Sequence, residues 1–223
     1  MPVVVVTGGG RGLGAALVRL LVAEKYRVVF STRNGPKEDL PPEAIHMATG
    51  DFANADNVRS FAQRVLSEVG PVRFLINNAG EMTSPEQPVM QCTVAEMEHS
   101  MAVNCIAPML LMQAFVPKMN ELGGGAVVNV SSGQGAMYGM SGCHFAYRSS
   151  KAALNALTLV FAAEHPNVRI NSVCPGIVET SMTAHLVGFE KVSPADAAEQ
   201  MLWLLADDAP TGGFFRNGEQ IYW

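Results

Sequence analysis

Residues 3–14 read Val-Val-Val-Val-Thr-Gly-Gly-Gly-Arg-Gly-Leu-Gly. Four apolar β-branched residues in a row, without alternation, predict a strand buried on both faces, here residues 2–7. Leu13, Leu17, Leu20 and Leu21 then recur at helical spacing. Strand, glycine-rich turn and helix together make a first βα crossover. At such a turn the backbone comes close to a ligand without Cβ interference, and the helix start offers free N–H groups and a positive dipole end. In doubly wound folds the ligand served is a diphosphate, and Gly10-x-Gly12-x-x-Ala15 matches the dinucleotide fingerprint in its Gly/Ala form.

The pattern repeats outward from there. Strands are predicted at residues 27–31, 45–49, 73–76, 126–131 and 168–173, with a closing strand over 214–222 that turns at Asn217-Gly218. Between them, helical periodicity runs over 54–69, 93–119, 145–163 and 193–206. Pro108 and Pro117 are expected to kink or end the long 93–119 stretch. Ser193-Pro194-Ala195-Asp196 has the residues of a helix start. Strands alternating with helices predict an α/β fold: a single doubly wound parallel sheet of Rossmann type with helices on both faces. No linker or repeat interrupts it, so residues 1–223 are read as one dinucleotide-binding domain.

Composition narrows the function. The 223 residues carry 20 acids and 15 bases, a net charge of −5, and 48% are hydrophobic. An acidic surface gives no footprint for nucleic acid or anionic lipid. No apolar run is expected to reach the ~20 residues of a membrane span. No basic leader precedes Val3, so a cytoplasmic protein is expected. Cys92, Cys105, Cys143 and Cys174 fit neither a redox pair nor a zinc knuckle and are read as reduced, buried thiols. The five histidines show no metal-binding spacing, and no metal is expected.

The end of the second strand sets the cofactor. An NAD site places an acid there for the ribose hydroxyls. This chain has Ser31-Thr32-Arg33-Asn34 instead. Arg33 can pair with a 2′-phosphate, and Arg11, inside the glycine turn, can reach the same group. With no competing carboxylate in view, NADP(H) is the cofactor expected.

Tyr147 and Lys151 stand at i and i+4, on one helix face. A phenol titrates near ~10, and bringing it to neutrality takes roughly 4 kcal/mol of differential interaction. An adjacent ammonium is expected to supply part of it by favouring phenolate.

Taken together, the chain resembles the short-chain dehydrogenase/reductase family over nearly its whole length. The resemblance rests on Thr7-Gly8-x-x-x-Gly12-x-Gly14, Asp51, Asn77-Asn78-Ala79-Gly80, Asn104, Ser131-Ser132, Tyr147-x-x-x-Lys151 and Pro175-Gly176-x-Val178-x-Thr180. The ending, Gly213 through Trp223, also resembles the carbonyl-reductase-like branch. The resemblance implies reduction of a ketone or aldehyde by NADPH. Tyr147 would be the general acid, Ser132 would polarise the substrate oxygen, and Lys151 would hold the nicotinamide ribose. Asn104 would hold a water on a proton relay. Thr7, Gly8, Arg11, Gly12, Leu13 and Gly14 would line the diphosphate, Asp51 and Phe52 the adenine, and Asn78, Ala79 and Gly80 the adenosine ribose. Pro175, Gly176, Val178 and Thr180 would cup the nicotinamide.

Two departures from the family stand out. The wall between Ser132 and Tyr147, residues 133–146, is longer than usual, which leaves Ser131 and Ser132 as alternatives, with Ser132 favoured. The substrate lid, residues 181–192, is short, and Met182, Leu186 and Phe189 give it an apolar character with His185 at its rim. Met137, Tyr138, Met140 and Phe145 are expected to line the pocket. Alternatives to carbonyl reduction are an alcohol dehydrogenase, a ketoacyl-type reductase and a non-catalytic NADP-binding sensor. The helix carrying Tyr147 is apolar around most of its circumference, so a homodimer or homotetramer is expected.

Overall fold

The computed structural model describes residues 1–83 and 87–223. Its strands are β1 (Val3–Val6), β2 (Arg27–Thr32), β3 (Ile45–Ala48), β4 (Phe74–Asn77), β5 (Gly125–Val130), β6 (Val168–Val173), β7 (Phe214–Arg216) and β8 (Glu219–Gln220). They form one sheet in the order β3-β2-β1-β4-β5-β6-β7-β8. Every pairing is parallel except β7 with β8. That last pair is a hairpin, and its turn is the expected Asn217-Gly218, both at positive φ.

The run of valines at 3–6 is explained by the two cores. Val3 and Val5 point into the core on one face; Val4 and Val6 point into the core on the other. Helix α1 (Gly12–Ala23) buries Leu13, Leu17, Val18 and Leu21 on the second face. Helix α2 (Ala55–Arg64) buries Val58 and Phe61 on the first. Ser193 caps helix α6 (Pro194–Leu202) by accepting the Asp196 N–H, as the sequence predicts. That helix tightens into a 3₁₀ turn at Trp203–Leu205 and joins α1 on the second face.

The long helical stretch departs from expectation. It begins at Thr93, whose side chain and Glu96 form a capping box. Helix α3 (Val94–Met101) passes through a π turn (Ala102–Ile106) into α4 (Ala107–Glu121) without ending. Pro108 sits just after the π turn, where the i→i−4 ladder is already shifted, so its missing N–H does not break the helix. The whole, Val94–Glu121, is therefore long and apolar enough to cross a membrane by length and composition, with a mean hydropathy of 1.4 over its best window. The sequence hides this length because the prolines look like breaks. Half of that window is buried inside this chain: Leu111, Met112, Phe115, Val116 and Met119 of α4 fill the first core. Helix α5 (Phe145–Glu164) follows β5 and crosses back to β6. Its inner face buries Leu154 and Thr158, while Leu159 and Val160 remain 40% and 53% exposed.

The cysteines also differ from expectation. All four are free, but Cys143 is exposed and Cys92 and Cys105 are half-buried; Cys174 alone of the four is fully buried.

Candidate active site

The site is built at the carboxyl ends of the parallel strands, where ligands bind in open α/β sheets. At β1 the glycine turn is tied to the end of β4. The Thr7 hydroxyl accepts the Asn78 and Ala79 N–H groups at 3.0 and 2.9 Å, and Asn78 Nδ2 donates to the Thr7 carbonyl at 2.9 Å. A Cβ on Gly14 would stand 2.1 Å from the Gly8 carbonyl oxygen, so no other residue fits between helix and strand. Gly12 has φ +54, and a Cβ there would meet Thr180, which brings the 175–180 segment against the turn.

The turn already receives an anion from the chain itself. Gly12 N–H donates to the Glu38 carboxylate at 2.6 Å, and Arg19 pairs with the same carboxylate at 3.0 Å. This Oε1 is a stand-in for an anionic oxygen, so the donors and space at the helix start fit a diphosphate. Glu38 is a residue the sequence did not single out; it arrives on the loop beyond β2. Arg11 caps α1 through its backbone and makes no ion pair among the described residues.

Arg33 requires a correction. A carboxylate does compete for it: Asp51, predicted beside the adenine, pairs with the guanidinium at 3.3 Å, both groups being about half exposed. The Ala53 N–H holds the Asp51 carboxyl below its usual range, with Arg33 assisting against the opposing effect of burial. Phe52, next to it, is buried against Phe61.

The reacting group gathers from β5, the π turn and α5. Tyr147 and Lys151 are 8% and 4% exposed. Of the two serines, Ser132 is the one whose hydroxyl acts on the Tyr147 phenol, favouring its ionised form, while the Ser131 hydroxyl turns inward toward the Lys151 carbonyl. The Ser132 Oγ also accepts the Gln134 N–H at 3.2 Å, which fixes its rotamer. Asn104 is fully buried in the π turn. Its Oδ1 accepts the Glu81 N–H, and its Nδ2 donates to the Glu81 carbonyl and the Ser150 hydroxyl. A Cβ on Gly80 would lie 3.3 Å from both Asn104 Oδ1 and Lys151 Nζ, so the 78–80 strip runs directly over this pair.

The expected direction of the Tyr147 shift is reversed. The Lys151 ammonium lies 5.8 Å from the centre of the Tyr147 ring and donates to the Val130 carbonyl at 2.8 Å. Burial dominates and pushes the phenol up to about 12; the Ser132 hydrogen bond opposes this and Cys174 adds to it. Burial likewise pushes Lys151 down to about 8, against the influence of Cys105 and Cys174. Both shifts favour the neutral form of the group, as burial away from water does.

Two further residues were missed. Cys174, read as a small buried hydrophobe, has a sulfur that accepts the Gly133 N–H at 3.1 Å and two N–H groups of Arg216 at 3.1 and 3.3 Å. The one signal for it was its place directly before Pro175-Gly176. The expected pocket residues Met137 and Tyr138 are instead 69% and 75% exposed. Tyr138 packs on Tyr222 and its N–H reaches the Trp223 carbonyl, which draws it out to the C-terminus. Met140, Phe145, Met182 and Phe189 are also exposed. Among the described residues no group of three His, Cys, Asp or Glu gathers to hold a metal.

The chain matches the short chain dehydrogenase family over residues 2–191. It is 31% identical over 224 residues to carbonyl reductase family member 4 of Danio rerio, covering 93% of this chain and 92% of that protein. The structure of an NADPH-bound carbonyl reductase from chicken fatty liver is similar over 100% of both chains, with a TM-score of 0.86 and 27% identity. A blue fluorescent protein from a metagenomic library, solved in complex with NADPH, gives a TM-score of 0.83 and 25% identity over 96% of this chain and 95% of that one.

Proposed function

Because this chain belongs to the short-chain dehydrogenase family, we propose that it is an NADPH-dependent reductase of a ketone or aldehyde in which Tyr147 delivers the proton. The observation that carries this reading is the buried Tyr147 with the Lys151 ammonium 5.8 Å from its ring centre, at the end of the sheet where the Ser132 turn follows β5. The reduced nicotinamide, when bound, supplies the hydride to the carbonyl carbon. Everything else is done by groups of this chain. The substrate oxygen sits where the Ser132 and Tyr147 hydroxyls converge; as the C=O π bond opens, the Tyr147 proton forms the new O–H bond. The backbone at Gly12–Gly14 and the start of α1 hold the diphosphate, in the place Glu38 now occupies. Asn78, Ala79 and Gly80 lie along the ribose. Pro175, Gly176, Val178 and Thr180 close the nicotinamide end. Lys151, buried beside the ring, holds ribose hydroxyls and returns a proton to Tyr147 with Asn104.

NADP preference is supported by the NADPH-bound neighbours and by Arg33 at the end of β2. Arg33→Asp is expected to lower the NADPH-to-NADH ratio of kcat/KM by about 10- to 100-fold, the worth of one charge-assisted contact. An unchanged ratio means that Arg33 stays with Asp51 and never reaches the cofactor.

The exposed apolar strip of α5, with Leu159 and Val160, supports a homodimer or homotetramer. We place the enzyme in the cytoplasm, free of membrane and nucleic acid. The deciding assay follows NADPH and NADH oxidation with aromatic ketones, quinones and aldehydes. Turnover with NADPH is the expected result. Tight NADPH binding with no turnover on any of them replaces this reading with the cofactor-binding sensor.

A further inference from the structure

β7 runs parallel to β6 with Val173 beside Phe215, so its last residue, Arg216, comes out at the carboxyl edge of the sheet next to Cys174. Ser132 follows the end of β5 at the same edge. The Arg216 guanidinium lies against the loop that carries Ser132: a Cβ on Gly133 would be 2.0 Å from Nη2. Among the described residues two of its N–H groups find acceptors, and both go to the Cys174 sulfur, a weak acceptor for a full positive charge. Among the described residues Arg216 makes no ion pair; even Glu219, its cross-strand neighbour in the hairpin, does not pair with it. The same Cys174 adds to the upward shift of the Tyr147 phenol.

A solvent-exposed guanidinium with no carboxylate partner among the described residues, lying against the loop that carries Ser132, is suited to an anionic group on the substrate. We propose that Arg216 is a specificity residue whose free N–H groups bind the carboxylate of an oxo acid while its carbonyl sits at Ser132 and Tyr147. The planar guanidinium suits a carboxylate bidentately. This deepens the carbonyl-reductase reading and rests on it.

Phenylglyoxylate and its methyl ester test it, since the ester keeps the ketone and its ring but caps the carboxylate and removes its charge. The wild type is expected to favour the acid. Arg216→Gln is expected to lower kcat/KM for the acid by about 10- to 100-fold, mainly through KM, with the ester changed by less than about threefold. Arg216→Lys should recover part of the loss for the acid. A control titration should leave the NADPH Kd within about twofold. Equal losses for acid and ester, or a wild type indifferent between them, overturn the proposal. A parallel binding measurement separates the two readings. If neither compound is turned over but the NADPH-loaded wild type still binds phenylglyoxylate about tenfold tighter than the ester, and Arg216→Gln loses that margin, the carbonyl-reductase reading falls and the carboxylate site stands. No difference in binding removes the site as well.

Discussion

Tyr147→Phe is expected to lower kcat/KM for carbonyl reduction by about 10³-fold, within the range a positioned general acid supplies. The substitution removes one oxygen from a side chain that is 8% exposed and otherwise keeps its packing. Ser132 remains fixed by the Gln134 N–H. Binding of NADPH should therefore change by less than about threefold, and the loss should appear in kcat more than in KM. Full activity in the variant would mean that the proton comes from elsewhere, and Tyr147 would be a packing residue.

Lys151→Met is the second large effect, and it acts on stability and activity in opposite directions. In the unfolded chain this ammonium titrates at 10.5; in the folded chain burial brings it to about 8. Between those values the unfolded state binds more protons, so stability rises with pH from 8 to 10.5, by up to about 3 kcal/mol. Below pH 8 the cost of burying the charge is fully present. Tyr147 has the opposite sign at a higher window: its proton is held to about 12 when folded and lost near 10 when unfolded, so stability falls above pH 10. The clean comparison is therefore between pH 7.5 and 9.5. Wild type should gain stability over that interval in urea unfolding, and Lys151→Met should not. The variant should also lose about 10²- to 10³-fold in kcat/KM, since the group that holds ribose and resupplies the proton is gone. A gain with pH equal to that of the wild type would show that Lys151 is not the group being titrated.

Much of the scaffold is legible in the sequence because buried parallel strands have no polar face to disguise them. The valines of β1 and the glycines after them fix the first crossover, and the positions of Gly14 and Gly12 follow from contacts only glycine allows. Tyr147 and Lys151 are legible because helical spacing places them on one face. The sign of the Tyr147 shift is not, since it depends on how much water reaches the ring, which no spacing reveals. The π turn at Asn104 is hidden because a shift in hydrogen-bond partners leaves no residue signature, and Pro108 reads as a stop where the chain continues. Arg33 with Asp51, Glu38 with Gly12 and Arg216 with Cys174 are each joined across tertiary distance by loops or strand order. Such pairings arise only once the sheet has brought the strand ends together. They also decide the finer chemistry, which is why the fold was easier to read than the site.

The claim on which the mechanism turns is that Tyr147 carries its proton at neutral pH. The most direct test is an ultraviolet difference titration of the cofactor-free protein, comparing tyrosinate absorbance in the wild type with that in Tyr147→Phe. The two curves should coincide through pH 9 and separate only as the pH passes 10 toward about 12. An excess of one tyrosinate in the wild type at pH 7 to 8 would contradict the account.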